Sequence, residues 1–139
     1  MDMNSRKPIL CLDFDGVCHS YTSGWRGANV ILDDAVPGLC EFLELAKEHF
    51  DIYIFSTRSQ DPNGILAMKN WFGGRFTEYL FSKDPSLKVT FEAFLCPDYL
   101  NFPTKKPAAF VTIDDRAITF TGEWPDIQAL LTFKPWNKR

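Results

Sequence analysis

Leu10-Cys11-Leu12-Asp13-Phe14-Asp15-Gly16-Val17 is the stretch on which the reading of this chain turns. An apolar run stops at two carboxylates one residue apart, and a glycine follows. Side chains of a strand alternate between its faces, so Asp13 and Asp15 are expected on one side. Gly16 lets the backbone leave the strand sharply. The C-terminal ends of strands are where an open α/β sheet places its ligand. Two carboxylates with nothing basic beside them repel, and so ask for a cation or a shared proton. Asp-x-Asp-Gly also occurs in calcium loops and plain turns. A helix-loop-helix calcium site counted from Asp13 would place Val17 and Gly24 where oxygen ligands belong, which excludes it.

The rest of the chain alternates strand and helix signals. Ile9 to Phe14 reads as a buried strand, and Gly16 to Asp34 as a loop or hairpin over its end. Val36-Pro37-Gly38 opens a helix whose apolar face is Leu39, Phe42, Leu43 and Ala46. Phe50 to Phe55 is a second strand, ending at Ser56-Thr57-Arg58. Asp61-Pro62-Asn63 starts a helix that runs to Gly73-Gly74, with a short further helix over Phe76 to Phe81. Residues 82–109 hold four prolines and read poorly, with a short strand at Phe94 to Cys96. Phe110 to Ile113 is a third clear strand and ends in Asp114-Asp115-Arg116. Ile118 to Thr121 reads as another short strand, and Asp126 to Phe133 as a final helix. This alternation predicts an α/β protein: a three-layer α/β/α, Rossmann-like fold with a mainly parallel central sheet. No linker separates two domains, so residues 1–139 are expected to form one, with a flap at about 16–36 and a small insertion within about 73–104.

With 45% hydrophobic and 24% charged residues, the composition is that of an ordinary globular domain. A net charge of −3 gives no electrostatic footprint for nucleic acid, which is an unexpected partner. The four cysteines form no Cys-x-x-Cys pair, and His19 and His49 complete no zinc pattern. Cys11 and Cys40 read as small buried hydrophobes, which suits a reduced, cytoplasmic setting. No stretch is apolar enough for a signal peptide or a membrane span, so no membrane partner is expected.

Three apolar strands thus end in polar signatures: Asp13-Phe14-Asp15, Ser56-Thr57 and Asp114-Asp115. In a parallel sheet those ends share an edge, and Lys105-Lys106 lies just before the third strand. Carboxylates for a divalent metal, hydroxyls, backbone amides and an ammonium together match a magnesium-bound phosphate monoester.

These residues, in this order over residues 9–115, resemble the four motifs of the haloacid dehalogenase-like superfamily in its phosphatase branch. The resemblance implies that Asp13 is the nucleophile and forms an aspartyl-phosphate. Asp15 would be the general acid and base. Asp13 and Asp114, with the backbone carbonyl of Asp15, would ligate Mg²⁺, and Asp115 would assist from outside that set. Ser56 and Thr57 would bind the phosphoryl oxygens, and Lys106, with Lys105 as second choice, would neutralise their charge. Because members that cleave carbon–halogen bonds lack the second Asp, Asp15 favours a phosphatase. A phosphotransferase, a pyrophosphatase and a catalytically silent binding domain are the other readings.

Two features depart from the family pattern. Lys106 lies only eight residues before Asp114, where many members have a longer helix between the two motifs. The segment from Gly16 to Pro37 is too short for a helical cap, so the site is expected to be capless or nearly so. An open site suits a large substrate such as a protein or nucleic-acid end, or a lid from another subunit in a homo-oligomer, and the phosphorylated substrate is left open between small molecule and macromolecule. Several side chains stay open at this level. Ser56 is also a candidate cap of the following turn. Arg58 lines the pocket or pairs with an acid outside it. Trp25 is a lid aromatic or packs the loop down, and Trp136 packs on the domain or on a partner. His19 reads as a solvated loop residue.

Overall fold

The computed structural model describes residues 6–87 and 95–138. Four strands, β1 (Ile9–Leu12), β2 (Asp51–Ile54), β3 (Leu100–Asn101) and β4 (Val111–Ile113), form one sheet in the order β3-β2-β1-β4. All three pairings are parallel. Helices α1 (Leu39–Ala46) and α2 (Pro62–Lys83) make the β1-to-β2 and β2-to-β3 crossovers, and a short α3 (Ile127–Leu131) follows β4. The fold is therefore mixed α/β and Rossmann-like.

Parallel pairing explains the apolar strands. A central parallel strand is covered on both faces and so lacks a solvent-facing alternation. Leu10, Cys11 and Leu12 of β1 and Ile52 and Ile54 of β2 are all buried. Right-handed crossovers that step in one direction, β1 to β2 to β3, put α1 and α2 on the same side of the sheet. The chain then returns past β1 to reach β4. The direction of winding therefore reverses between β1 and β4, and an open α/β sheet has its binding crevice at that reversal.

The core gathers on the side of α1 and α2. Leu39, Cys40, Leu43 and Ala46 are the buried residues of α1, whereas Phe42 is largely exposed. Met68, Phe72 and Phe76 bring α2 onto the strands. Phe14, Trp71 and Phe72 meet edge to face at centroid distances of 5.1–5.7 Å, an arrangement that aromatic quadrupoles favour.

Three elements differ from the sequence expectation. Helix α2 runs without a break through Gly73-Gly74 and absorbs the separate helix expected at 76–81. Burial of Phe72, Gly73, Phe76 and Thr77 along one face outweighs the low helix propensity of two glycines. The strand expected at Phe94 to Cys96 falls partly outside the described residues; Leu95 and Cys96 are irregular, and the pairing with β2 is made by Leu100–Asn101 between Pro97 and Pro103. No strand forms at Ile118 to Thr121 among the described residues.

The glycines of α2 offer a direct check of this packing. A Cβ at Gly64 would strike the backbone carbonyl of Arg58, whereas a Cβ at Gly74 meets open space. Gly74→Ala is expected to stabilise the protein by about 0.5–1 kcal/mol through helix propensity alone. Gly64→Ala is expected to destabilise it despite the same propensity gain. Urea denaturation of both variants checks the two signs.

Candidate functional site

The register of the sheet brings the carboxylates together. Leu12 pairs with Ile54 on one side and with Ile113 on the other. One residue further, Asp13 N–H donates to the Ile113 carbonyl at 3.0 Å and Phe55 N–H to the Leu12 carbonyl at 3.0 Å. Asp13, Phe55 and Asp114 therefore leave the sheet side by side. Asp13 and Asp15 are partly exposed while Phe14 between them is fully buried, so the alternation of faces persists past the end of β1.

Gly16 completes the arrangement at φ +80, and a Cβ there would collide with the Asp115 carboxylate. Only glycine lets the turn after β1 approach the end of β4 so closely. One carboxylate oxygen from each of Asp13, Asp114 and Asp115 lies within 4.8 Å of the others. Such a set of hard oxygen donors is able to hold a divalent cation.

Two adjoining cavities open here. One, of about 220 Å³, is lined by Asp13, Asp15, Tyr21, Thr57, Asp115 and Arg116. The other, of about 260 Å³, has Asp13, Ser56, Thr57, Lys106, Asp114 and Arg116 among its polar lining residues. Asp13, Thr57 and Arg116 stand on the boundary between them. Lys106 lines the larger cavity, and Lys105 is in neither wall.

The hydroxyls divide their work. Ser56 is buried, and its Oγ accepts from Arg58 N–H at 3.0 Å as the cap of a 3-10 helix (Thr57–Gln60). It also lines the larger cavity. Thr57 is exposed and faces both cavities.

Asp15 does not join the carboxylate cluster. Its Oδ1 receives Arg58 Nε at 3.0 Å and lies 2.7 Å from His19 Nε2; its Oδ2 has a longer 3.3 Å contact with Arg58 Nε. Arg58 thus pairs with an acid inside the site. His19 is the clearest correction to the sequence reading: it is 1% exposed rather than solvated. Its ring packs against Phe14 at 4.7 Å and Trp71 at 5.9 Å. His19 Nδ1 accepts from Tyr21 N–H at 3.3 Å, so the hydrogen sits on Nε2 and is donated to Asp15.

Sequence reasoning missed Tyr21 and Arg116 as site residues. Tyr21 lies in the left-handed region at φ 58, an uncommon conformation for a bulky residue and one that concentrates at functional sites. Nothing in the sequence marks it. The Arg116 backbone is set by an Asx turn, its N–H donating to Asp114 Oδ1 at 2.8 Å. Trp25 stacks on Arg58, 4.9 Å from ring centroid to guanidinium. Trp136 packs on the domain: its Nε1 donates to the Gly16 carbonyl at 2.6 Å. No protein-family model, curated protein or solved structure matches this chain.

Burial, a hydrogen bond with the Asp115 carboxyl and the charge of Asp114 push Asp13 up to about 8. The native state therefore holds a proton on Asp13 that the unfolded chain loses near pH 3.8. Stability contributed by that proton is full below the unfolded value and is lost as pH rises toward 8. In EDTA, Asp13→Asn is expected to melt above wild type at pH 8, with the advantage vanishing near pH 4. Calorimetry across this range checks it, and added divalent cation is expected to narrow the gap at pH 8.

Removing the counter-charge of Arg58 leaves a guanidinium buried without its anion. Asp15→Asn is expected to cost roughly 3–5 kcal/mol of stability, the range for breaking a buried pair. Chemical denaturation at neutral pH measures it.

Proposed function

We propose that this chain is a Mg²⁺-dependent phosphohydrolase that cleaves a phosphate monoester through an aspartyl-phosphate on Asp13. The observation that carries the reading is the position of Asp13. It stands between two cavities, with Asp114 and Asp115 beside it, Lys106 and Ser56 on one side, Asp15 on the other and Thr57 facing both. The ordered resemblance of these motifs to the haloacid dehalogenase-like superfamily supports the same assignment.

In this reading an Asp13 carboxylate oxygen attacks phosphorus as the bond to the leaving oxygen breaks. Asp15 gives its proton to that oxygen, from the side of Oδ2, while His19 and Arg58 hold Oδ1. Asp15 then takes a proton from water, whose oxygen attacks phosphorus and releases the Asp13 carboxylate. Thr57, Ser56 and Lys106 position the phosphoryl oxygens and offset their charge; positioning and electrostatics supply most of the acceleration in phosphoryl transfer. Asp13 and Asp114, with Asp115 close by, would hold Mg²⁺, which supplies charge neutralisation at the phosphoryl group when bound.

The test is hydrolysis of p-nitrophenyl phosphate by the full chain. Turnover is expected with Mg²⁺ and is expected to vanish in EDTA. Asp13→Asn is expected to abolish it, since the nucleophile is lost, while the protein stays folded. Turnover that persists in EDTA, or in Asp13→Asn, contradicts the assignment.

A further inference from the structure

Arg58 is a charged side chain with 1% exposure, packed among core residues such as Phe14. A buried guanidinium must place its N–H groups on acceptors and its charge near an anion. Nε and Nη1 of Arg58 do so with partners from two places. Nε is held by Asp15. The two N–H groups of Nη1 reach three carbonyls of the flap, one of them shared: Gly27 at 2.9 Å, Ala28 at 2.9 Å and Val30 at 3.0 Å. Gly27 has a φ of +117, a conformation that side chains rarely adopt and that lets the loop fold around the guanidinium. Trp25 of the same loop covers one approach to the guanidinium at 4.9 Å.

The Arg58 backbone, by contrast, is fixed. Its N–H donates to Ser56 Oγ, its carbonyl accepts from Asp61 N–H at 3.2 Å, and Gly64 of α2 lies against that carbonyl.

We propose that Arg58 is a positioning residue that makes the placement of Asp15 and the seating of the flap at Gly27–Val30 a single event. Lifting the flap strips three acceptors from a buried cation, and displacing Asp15 strips its counter-charge. Each loss leaves the guanidinium under-satisfied, so the two contacts form and break together. Lysine keeps the charge but not the fork that joins the two sets of acceptors. The flap half stands on geometry alone; the catalytic half rests on the phosphohydrolase reading.

Arg58→Lys in the full chain tests both halves. Arg26, exposed and immediately before the pinned carbonyls, is a trypsin site. Native wild type is expected to resist cleavage there, with the fragment that begins at Gly27 read by mass. Arg58→Lys is expected to release it about tenfold faster or more. Wild type cut at Arg26 as fast as its heat-unfolded chain overturns the proposal, and needs no variant to do so; so does a folded variant cut no faster than wild type.

The catalytic half is read by comparing phenyl phosphate, whose leaving group needs the proton more, with p-nitrophenyl phosphate. Arg58→Lys is expected to lower kcat on phenyl phosphate by about tenfold more than on p-nitrophenyl phosphate, within the range of general-acid effects, with KM little changed. Equal losses on both substrates overturn the link to Asp15. Wild type inactive on both overturns the phosphohydrolase reading and the catalytic half with it, while cleavage at Arg26 still decides the flap.

Discussion

Three carboxylates, on Asp13, Asp114 and Asp115, lie within 4.8 Å of one another where the β1–β4 ladder ends. Asp13 and Asp114 are each one residue past a paired position of β1 and β4, and Gly16 presses the following turn onto Asp115. The register of adjacent parallel strands fixes where the Asp13 and Asp114 backbones leave the sheet. Burial, together with the hydrogen bond to Asp115 and the repulsion of the nearby charges, is met by protonation, and Asp13 is driven up to about 8. A hard divalent cation relieves the same repulsion without the proton, which is why the cluster and the proposed chemistry belong together.

The second acid is kept apart from this cluster by different means. Asp15 leaves the sheet two residues after Asp13, but its carboxylate turns to Arg58 and His19. Two acids in two environments are then available for two roles, one crowded by like charge and one fixed by hydrogen bonds. The flap contributes to both. It supplies Tyr21 to the cavity wall and gives its carbonyls to Arg58. It is also tied to α2 by Trp71, whose Nε1 donates to the Asp33 carbonyl at 3.2 Å. The C-terminal Trp136 and Asn137 hold its first turn through the carbonyls of Gly16 and Ser20.

What was legible in the sequence follows from these physics. Short apolar runs marked β1, β2 and β4, although only Leu10–Leu12 of β1 and Ile52 and Ile54 of β2 are buried and Val111, Thr112 and Ile113 of β4 are exposed; the abrupt polarity change at Asp13, Ser56 and Asp114 marked their shared edge. Lys106 was ranked above Lys105 by the resemblance alone, because adjacent residues carry no record of which one reaches a cavity. His19 was misjudged because a lone histidine in a glycine-containing loop has no pattern; its burial comes from Trp71 and Phe14, remote in sequence or on another element. Gly73-Gly74 read as a helix end because local propensity was weighed without the buried face that overrides it. Arg58 kept two readings open, since a charge in mid-chain is usually solvated and only the fold supplies Asp15 and three carbonyls to it.

The central claim is that Asp13 carries the phosphoryl group during turnover, and borohydride trapping tests it most directly. An acyl phosphate is reduced by borohydride, which would convert the aspartate that carries it to homoserine. With p-nitrophenyl phosphate and Mg²⁺ present, mass mapping is predicted to find homoserine at position 13 and at no other carboxylate, and none when substrate is omitted. Steady turnover with Asp13 unmodified, or reduction at Asp15 or Asp114 instead, would contradict the account.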